Sequence, residues 1–143
     1  MGIRKIPSDT RYFKFHNANP FNKRTCDCVV RAVSTALGEP YEFIVHDMVG
    51  FGLEIGLDHH DPKLIGKYLE SRGWTKQSQP KKADGRKFTG EEFCRYLSEH
   101  YKSGSLVANI GGHHTVAILR DEIGFRVYDT WNSTDGCIGN YWI

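Results

Sequence analysis

Residues 105–131 read SLVANIGGHHTVAILRDEIGFRVYDTW, and the order of runs and turns in this stretch decides the fold. Ser105 to Ile110 and His114 to Leu119 are short runs rich in branched apolar residues, separated by Gly111-Gly112. Gly124 to Asp129 is a third run, reached across the polar Arg120-Asp121-Glu122. Asn140 to Ile143 is expected to add a last strand. Links this short leave no room for crossover helices, so the strands are predicted to run antiparallel.

Upstream the periodicity is helical. Val29, Ala32, Val33, Ala36 and Leu37 recur at spacings of three and four, which predicts a helix over Cys28 to Leu37. Asp27 stands at the N-cap position, and Gly38 with Pro40 ends the helix. A second helix is predicted over Tyr41 to Val49, with Ile44, Val45 and Met48 on one face. A third begins with Asp61 as cap and Pro62 in its first turn, buries Leu64, Ile65, Tyr68 and Leu69, and stops at Gly73. A fourth opens on Thr89-Gly90-Glu91-Glu92, a capping-box pattern, and turns Phe93, Tyr96 and Leu97 inward. The first 25 residues read as loop, broken by Asn17, Asn19 and Pro20. Helices first and strands afterwards predict an α+β fold, with N-terminal helices packed on a C-terminal antiparallel sheet.

The chain has 143 residues, which suits a single domain over 1–143. Charged residues make up 25% and the net charge is +2, so no strong field favours nucleic acid. The basic stretch Lys81 to Lys87 is short and turn-rich and reads as a solvated loop. No apolar run approaches the roughly 20 residues that span a bilayer. Met1 to Pro7 lacks the apolar core of a secretory signal, so a cytoplasmic location with no membrane partner is expected. In that compartment Cys26, Cys28, Cys94 and Cys137 are expected to be free thiols.

Three features carry chemistry. Cys28 opens an apolar helix, where unpaired backbone N–H groups and the helix dipole favour the thiolate. Gly112-His113-His114-Thr115 brings a histidine into a strand from a glycine turn, placed to exchange a proton with a thiol. Neighbouring residues on a strand point to opposite faces, so one of the two histidines serves. His113 shares a face with Thr115 and Ala117, which suits a cleft, and is the first choice of base; His114 is the alternative. Asp129 ends the next strand, where a carboxylate would orient the imidazole, and Trp131 would shield that contact from water.

The order Cys at a helix start, Gly-His into a strand and Asp-x-Trp after the next strand resembles the papain-like cysteine peptidase superfamily. Papain-type enzymes carry Asn-Ser-Trp where this chain has Asp129-Thr130-Trp131. Transglutaminase-like members use Asp there, with a Gly-His entry like Gly112-His113, and bacteriocin-processing enzymes form another branch. Asp27-Cys28-Val29-Val30-Arg31-Ala32, Gly112-His113-His114-Thr115 and Tyr128-Asp129-Thr130-Trp131 more closely resemble small bacterial and phage proteins, from about Asn17 onward.

The resemblance implies a papain-like fold and a thiol hydrolase with Cys28, His113 and Asp129 as its triad. Its substrate would be a protein or peptide, cleaved at a peptide or isopeptide bond without a cofactor. It also implies an oxyanion donor before the cysteine, usually Gln; here Asn22, or else Asn19, would serve beside the Cys28 N–H. The glycine-rich Gly50 to His60 would form a cleft wall or lid. Other readings stay open: acyl transfer or deamidation by the same triad, or a papain-like binding module that blocks a host protein. A metal site from His59-His60-Asp61, Cys26-x-Cys28 or His113-His114 matches no zinc spacing, so no metal is expected.

Overall fold

A computed structural model describes residues 6–21, 27–58 and 60–143. The described residues hold six strands and four helices, in the order β1 (Phe13–Phe15), α1 (Cys28–Leu37), α2 (Tyr41–Ile55), α3 (Leu64–Ser71), β2 (Lys76–Gln77), α4 (Gly90–His100), β3 (Ser105–Ile110), β4 (His114–Arg120), β5 (Phe125–Asp129) and β6 (Ile138–Trp142). The strands form one sheet in the order β1-β5-β4-β3-β6-β2.

The fold is therefore α+β, as the residue pattern predicts, but the sheet is mixed. The β3–β4, β4–β5, β3–β6 and β2–β6 pairs are antiparallel, whereas β1 runs parallel to β5, with Phe13 beside Val127 and Phe15 beside Asp129. The segment expected to be loop thus supplies an edge strand. Thr10 starts it: the Thr10 hydroxyl accepts from the Phe13 N–H at 3.0 Å, and Phe13 is fully buried.

Both faces of the sheet are covered. Ala32, Val33 and Ala36 of α1, Ile44 and Met48 of α2, and Leu64, Tyr68 and Leu69 of α3 pack on Val107, Ala117 and Trp142. On the opposite face Phe93, Cys94 and Leu97 of α4 pack on Leu106, Ala108, Ile110, Val116, Ile118, Phe125 and Val127. Successive residues of β3 and β4 feed alternate cores, so Leu106 to Ala108 and Val116 to Leu119 are continuous apolar runs within them.

Local chemistry explains the helix ends. At α4 the capping box forms: the Glu92 N–H donates to the Thr89 hydroxyl at 3.1 Å, and the Thr89 N–H donates to the Glu92 carboxylate at 3.0 Å. Gly38 ends α1 in the left-handed region at φ +68°, as a glycine there should. Two expectations are corrected. α2, expected to end at Val49, continues to Ile55, so the glycine-rich stretch from Gly50 begins as helix; Gly52 is buried within it, and a Cβ there would lie 2.7 Å from the Leu57 carbonyl oxygen. α3 starts at Leu64, later than Asp61 suggested, because the Asp61 carboxylate accepts from the Lys63 N–H at 2.9 Å in a turn ahead of the helix.

Candidate active site

α1 and the β3–β4 hairpin meet at the N-terminal end of the helix. Cys28 is the first residue of α1, half-buried, and its free thiol hydrogen-bonds to His114 and to the backbone of Thr115. Ile110 pairs with His114 across a turn of Gly111, Gly112 and His113. The turn closes because both glycines take positive φ, +63° and +91°, which other residues adopt at a cost.

His114 is the histidine that reaches the thiol. Its Nε2 lies 2.5 Å from Asp129 Oδ2. With Nε2 engaged, Nδ1 is the nitrogen left to face Cys28. The Trp131 ring, itself half-exposed, lies 4.9 Å from the imidazole centroid and covers one side of it. Asp129 is almost fully buried, and its Oδ1 accepts the Thr130 N–H at 2.7 Å.

The preference for His113 is corrected by this placement. His113 is exposed in the turn, one residue short of the strand. The face argument that favours it assumes one buried face and one open cleft face. Both faces of β4 are buried, so the apolar neighbours Val116 and Ile118 do not decide where His114 points.

Electrostatics at the pair favour charge separation. Burial alone would push the Cys28 thiol up; the hydrogen bonds from His114 and the Thr115 backbone, with the charges of His114 and Arg31, outweigh it and hold the thiol below its ordinary value. For His114, burial disfavours the imidazolium, but the Asp129 carboxylate and the Cys28 sulfur raise it to about 9. The arrangement is a thiol held below its ordinary value beside an imidazole whose charged form is favoured and which a buried carboxylate holds in one orientation.

Asp27, expected to cap α1, holds the N-cap position without a side-chain capping bond. Its carboxylate instead accepts from Asn19 Nδ2 at 2.9 Å and the Tyr41 hydroxyl at 3.0 Å, and pairs with Arg31. The Asn19 amide gives one N–H to Asp27 and turns towards the Tyr41 hydroxyl at 3.5 Å, so it is engaged in the Asp27 cluster. Asn22 and Cys26 lie outside the described residues, as does His59. Arg31, which residue patterning did not single out for a role, sits between Asp27 and Asp129; its spacing of four from Asp27 on a helix is the signal that could have found it.

Among the described residues, no group of three or more His, Cys, Asp or Glu side chains is placed to hold a metal ion, and no helix is long and apolar enough to cross a membrane. Compared with known proteins, the chain matches no family model, no curated protein and no solved structure.

Proposed function

We propose that the chain is a cysteine-dependent hydrolase of the papain-like type, acting on a peptide or isopeptide bond, with Cys28 as nucleophile, His114 as acid and base, and Asp129 as its orienting carboxylate. The observation that carries this reading is His114 held between Asp129 on one ring nitrogen and the Cys28 thiol on the other side. The order of the three residues along the chain, and their placement on a helix start and two adjacent strands, supports a papain-like arrangement.

In this mechanism the Cys28 thiolate adds to the amide carbonyl carbon. The backbone N–H of Cys28 donates to the oxyanion, with Asn22 as the proposed side-chain donor. The C–N bond breaks as His114 delivers its proton to the departing amine, leaving a thioester on Cys28. Water then attacks the thioester, gives a proton to His114, and releases the carboxylic acid and the thiol. Asp129 keeps the imidazole in one tautomer and supports its positive charge in both halves. Trp131 limits water at the His114–Asp129 contact.

The test is acylation by an activated ester, p-nitrophenyl acetate, followed by mass spectrometry of the cysteine peptides. The reading predicts a burst of nitrophenol and an acetyl group on Cys28, both lost in Cys28→Ser and His114→Ala. Labelling spread over the cysteines, or unchanged in His114→Ala, would refute it. Adding a primary amine to the acylated protein separates hydrolysis from transfer, since both pass through the same thioester.

A further inference from the structure

We propose that Arg31 is a positioning residue of this centre, tying the carboxylate that orients His114 to the carboxylate that precedes the nucleophile. The inference rests on the cysteine-enzyme reading above and assigns a role to the Asp27-Cys28-x-x-Arg31 segment that the triad leaves unused.

The geometry is a chain of four charged groups around one thiol. Arg31 lies one helical turn after Asp27, and its Nη1 pairs with Asp27 Oδ1. Its Nη2 lies 3.8 Å from Asp129 Oδ1, an ion-pair distance, while Asp129 Oδ2 is held by His114. The two oxygens of Asp129 therefore face different partners, with the Thr130 N–H also on Oδ1. This fixes the rotation of the carboxylate and hence the direction in which His114 is held.

Asp27 poses a physical problem that Arg31 resolves. A buried carboxylate adjacent to Cys28 opposes thiolate formation, because like charges raise one another's pKa. Asp27 is 7% exposed, so water screens it little. Its charge is balanced by Arg31 and hydrogen-bonded by Asn19 and Tyr41. One guanidinium thus offsets Asp27 and supports Asp129. The groups of this cluster are Asp27 at the N-cap of α1, Cys28 from α1, Tyr41 from α2, His114 from β4 and Asp129 from β5. His16 adjoins it through its backbone N–H, which donates to the Asp129 carbonyl at 2.8 Å.

A lysine at position 31 would keep the charge but not the fork that reaches two carboxylates. Charge and orientation can therefore be separated. The experiment measures iodoacetamide alkylation of Cys28 against pH, and acylation by p-nitrophenyl acetate at pH 7, in the wild type, Arg31→Gln, Arg31→Lys and Asp27→Asn, each checked for folding by its melting curve.

Arg31→Gln is expected to raise the alkylation midpoint by about one pH unit and to slow acylation roughly 10- to 100-fold. Asp27→Asn is expected to move the midpoint down. Arg31→Lys keeps the wild-type midpoint and acylates several-fold more slowly. If Arg31→Gln does not fold, the other two variants carry the test. An Arg31→Gln or Asp27→Asn protein that folds and leaves the midpoint unmoved, a midpoint that moves the same way in those two, or an Arg31→Lys protein that acylates at the wild-type rate, overturns the role. A wild-type midpoint near the ordinary thiol value of about 8.5 refutes the cysteine-enzyme reading, and this inference with it.

Discussion

Nε2 of His114 lies 2.5 Å from Oδ2 of Asp129, across adjacent antiparallel strands, and this contact decides which ring nitrogen is left for Cys28. It makes the hairpin of β4 and β5, rather than the turn residue His113, the carrier of the proposed base.

Replacing Asp129 by Asn keeps the size and removes the charge. An amide that donates to Nε2 would force the tautomer with its proton on Nδ1, the wrong one for accepting a proton from the thiol. Acylation by p-nitrophenyl acetate is expected to fall by roughly 10³-fold at pH 7, by analogy with the tautomer effect known for serine proteases. Arg31 also loses a charged partner, so the melting temperature drops by several degrees while the protein still folds.

The raised pKa of His114 gives a signed pH dependence. A group held above its unfolded value stabilises the fold fully below that value, about 6.5 for histidine, and the gain is lost as pH rises through the folded value. For His114 that value is about 9 with Cys28 present. Melting temperatures of Cys28→Ala and Cys28→Ala with His114→Gln should be compared, since the missing thiol then adds no titration of its own. The gap is predicted to be constant from pH 5.5 to 6.5 and to close as pH rises from 7 towards 9. A gap that widened with pH would contradict the ion pair with Asp129.

Trp131 is half-exposed yet lies against the imidazole, so its removal wets the His114–Asp129 contact. Water weakens that pairing and lets His114 fall back towards its ordinary value. Trp131→Ala is expected to lose about 10-fold in acylation rate, and Trp131→Phe to recover most of it. Equal loss in both would assign the indole a different role.

The start of α4 is close-packed against the end of β3. A Cβ at Gly90 would lie 2.8 Å from Ile110 Cδ1 and 3.1 Å from Thr134 Cα. Gly90→Ala is expected to destabilise by about 2 kcal/mol, roughly 5 °C in melting temperature, and Thr89→Ala by about 1 kcal/mol through the lost cap. Ile110 leads into the turn before His114, and Thr134 follows Trp131, so acylation should weaken in Gly90→Ala more than in Thr89→Ala.

Local elements are legible in the sequence where a local cause sets them. The Thr89–Glu92 capping box, Gly38 after α1 and the runs of β3, β4 and β5 all follow from neighbouring residues. What escapes depends on distant partners. β1 is three residues long and pairs parallel to β5, more than a hundred residues away, so no local pattern marks it. The two-residue β2 is likewise fixed only by β6.

At the site, Cys28, Asp129 and Trp131 come together where their order suggests. The choice between His113 and His114 fails for a reason visible only in three dimensions: α4 covers the second face of the sheet, so both faces of β4 read as core. Asp27 reads as a cap because its position is right for one; its carboxylate is drawn to Arg31, Asn19 and Tyr41 instead.

The most direct test of the central claim is the pH profile of Cys28 alkylation by iodoacetamide, read by peptide mass spectrometry in the wild type, His114→Ala and His113→Ala. The account predicts fast reaction with a midpoint well below the ordinary thiol value of about 8.5, unchanged in His113→Ala and returned to that value in His114→Ala. A wild-type midpoint near 8.5, or a depressed one that survives in His114→Ala and is lost in His113→Ala, would contradict it.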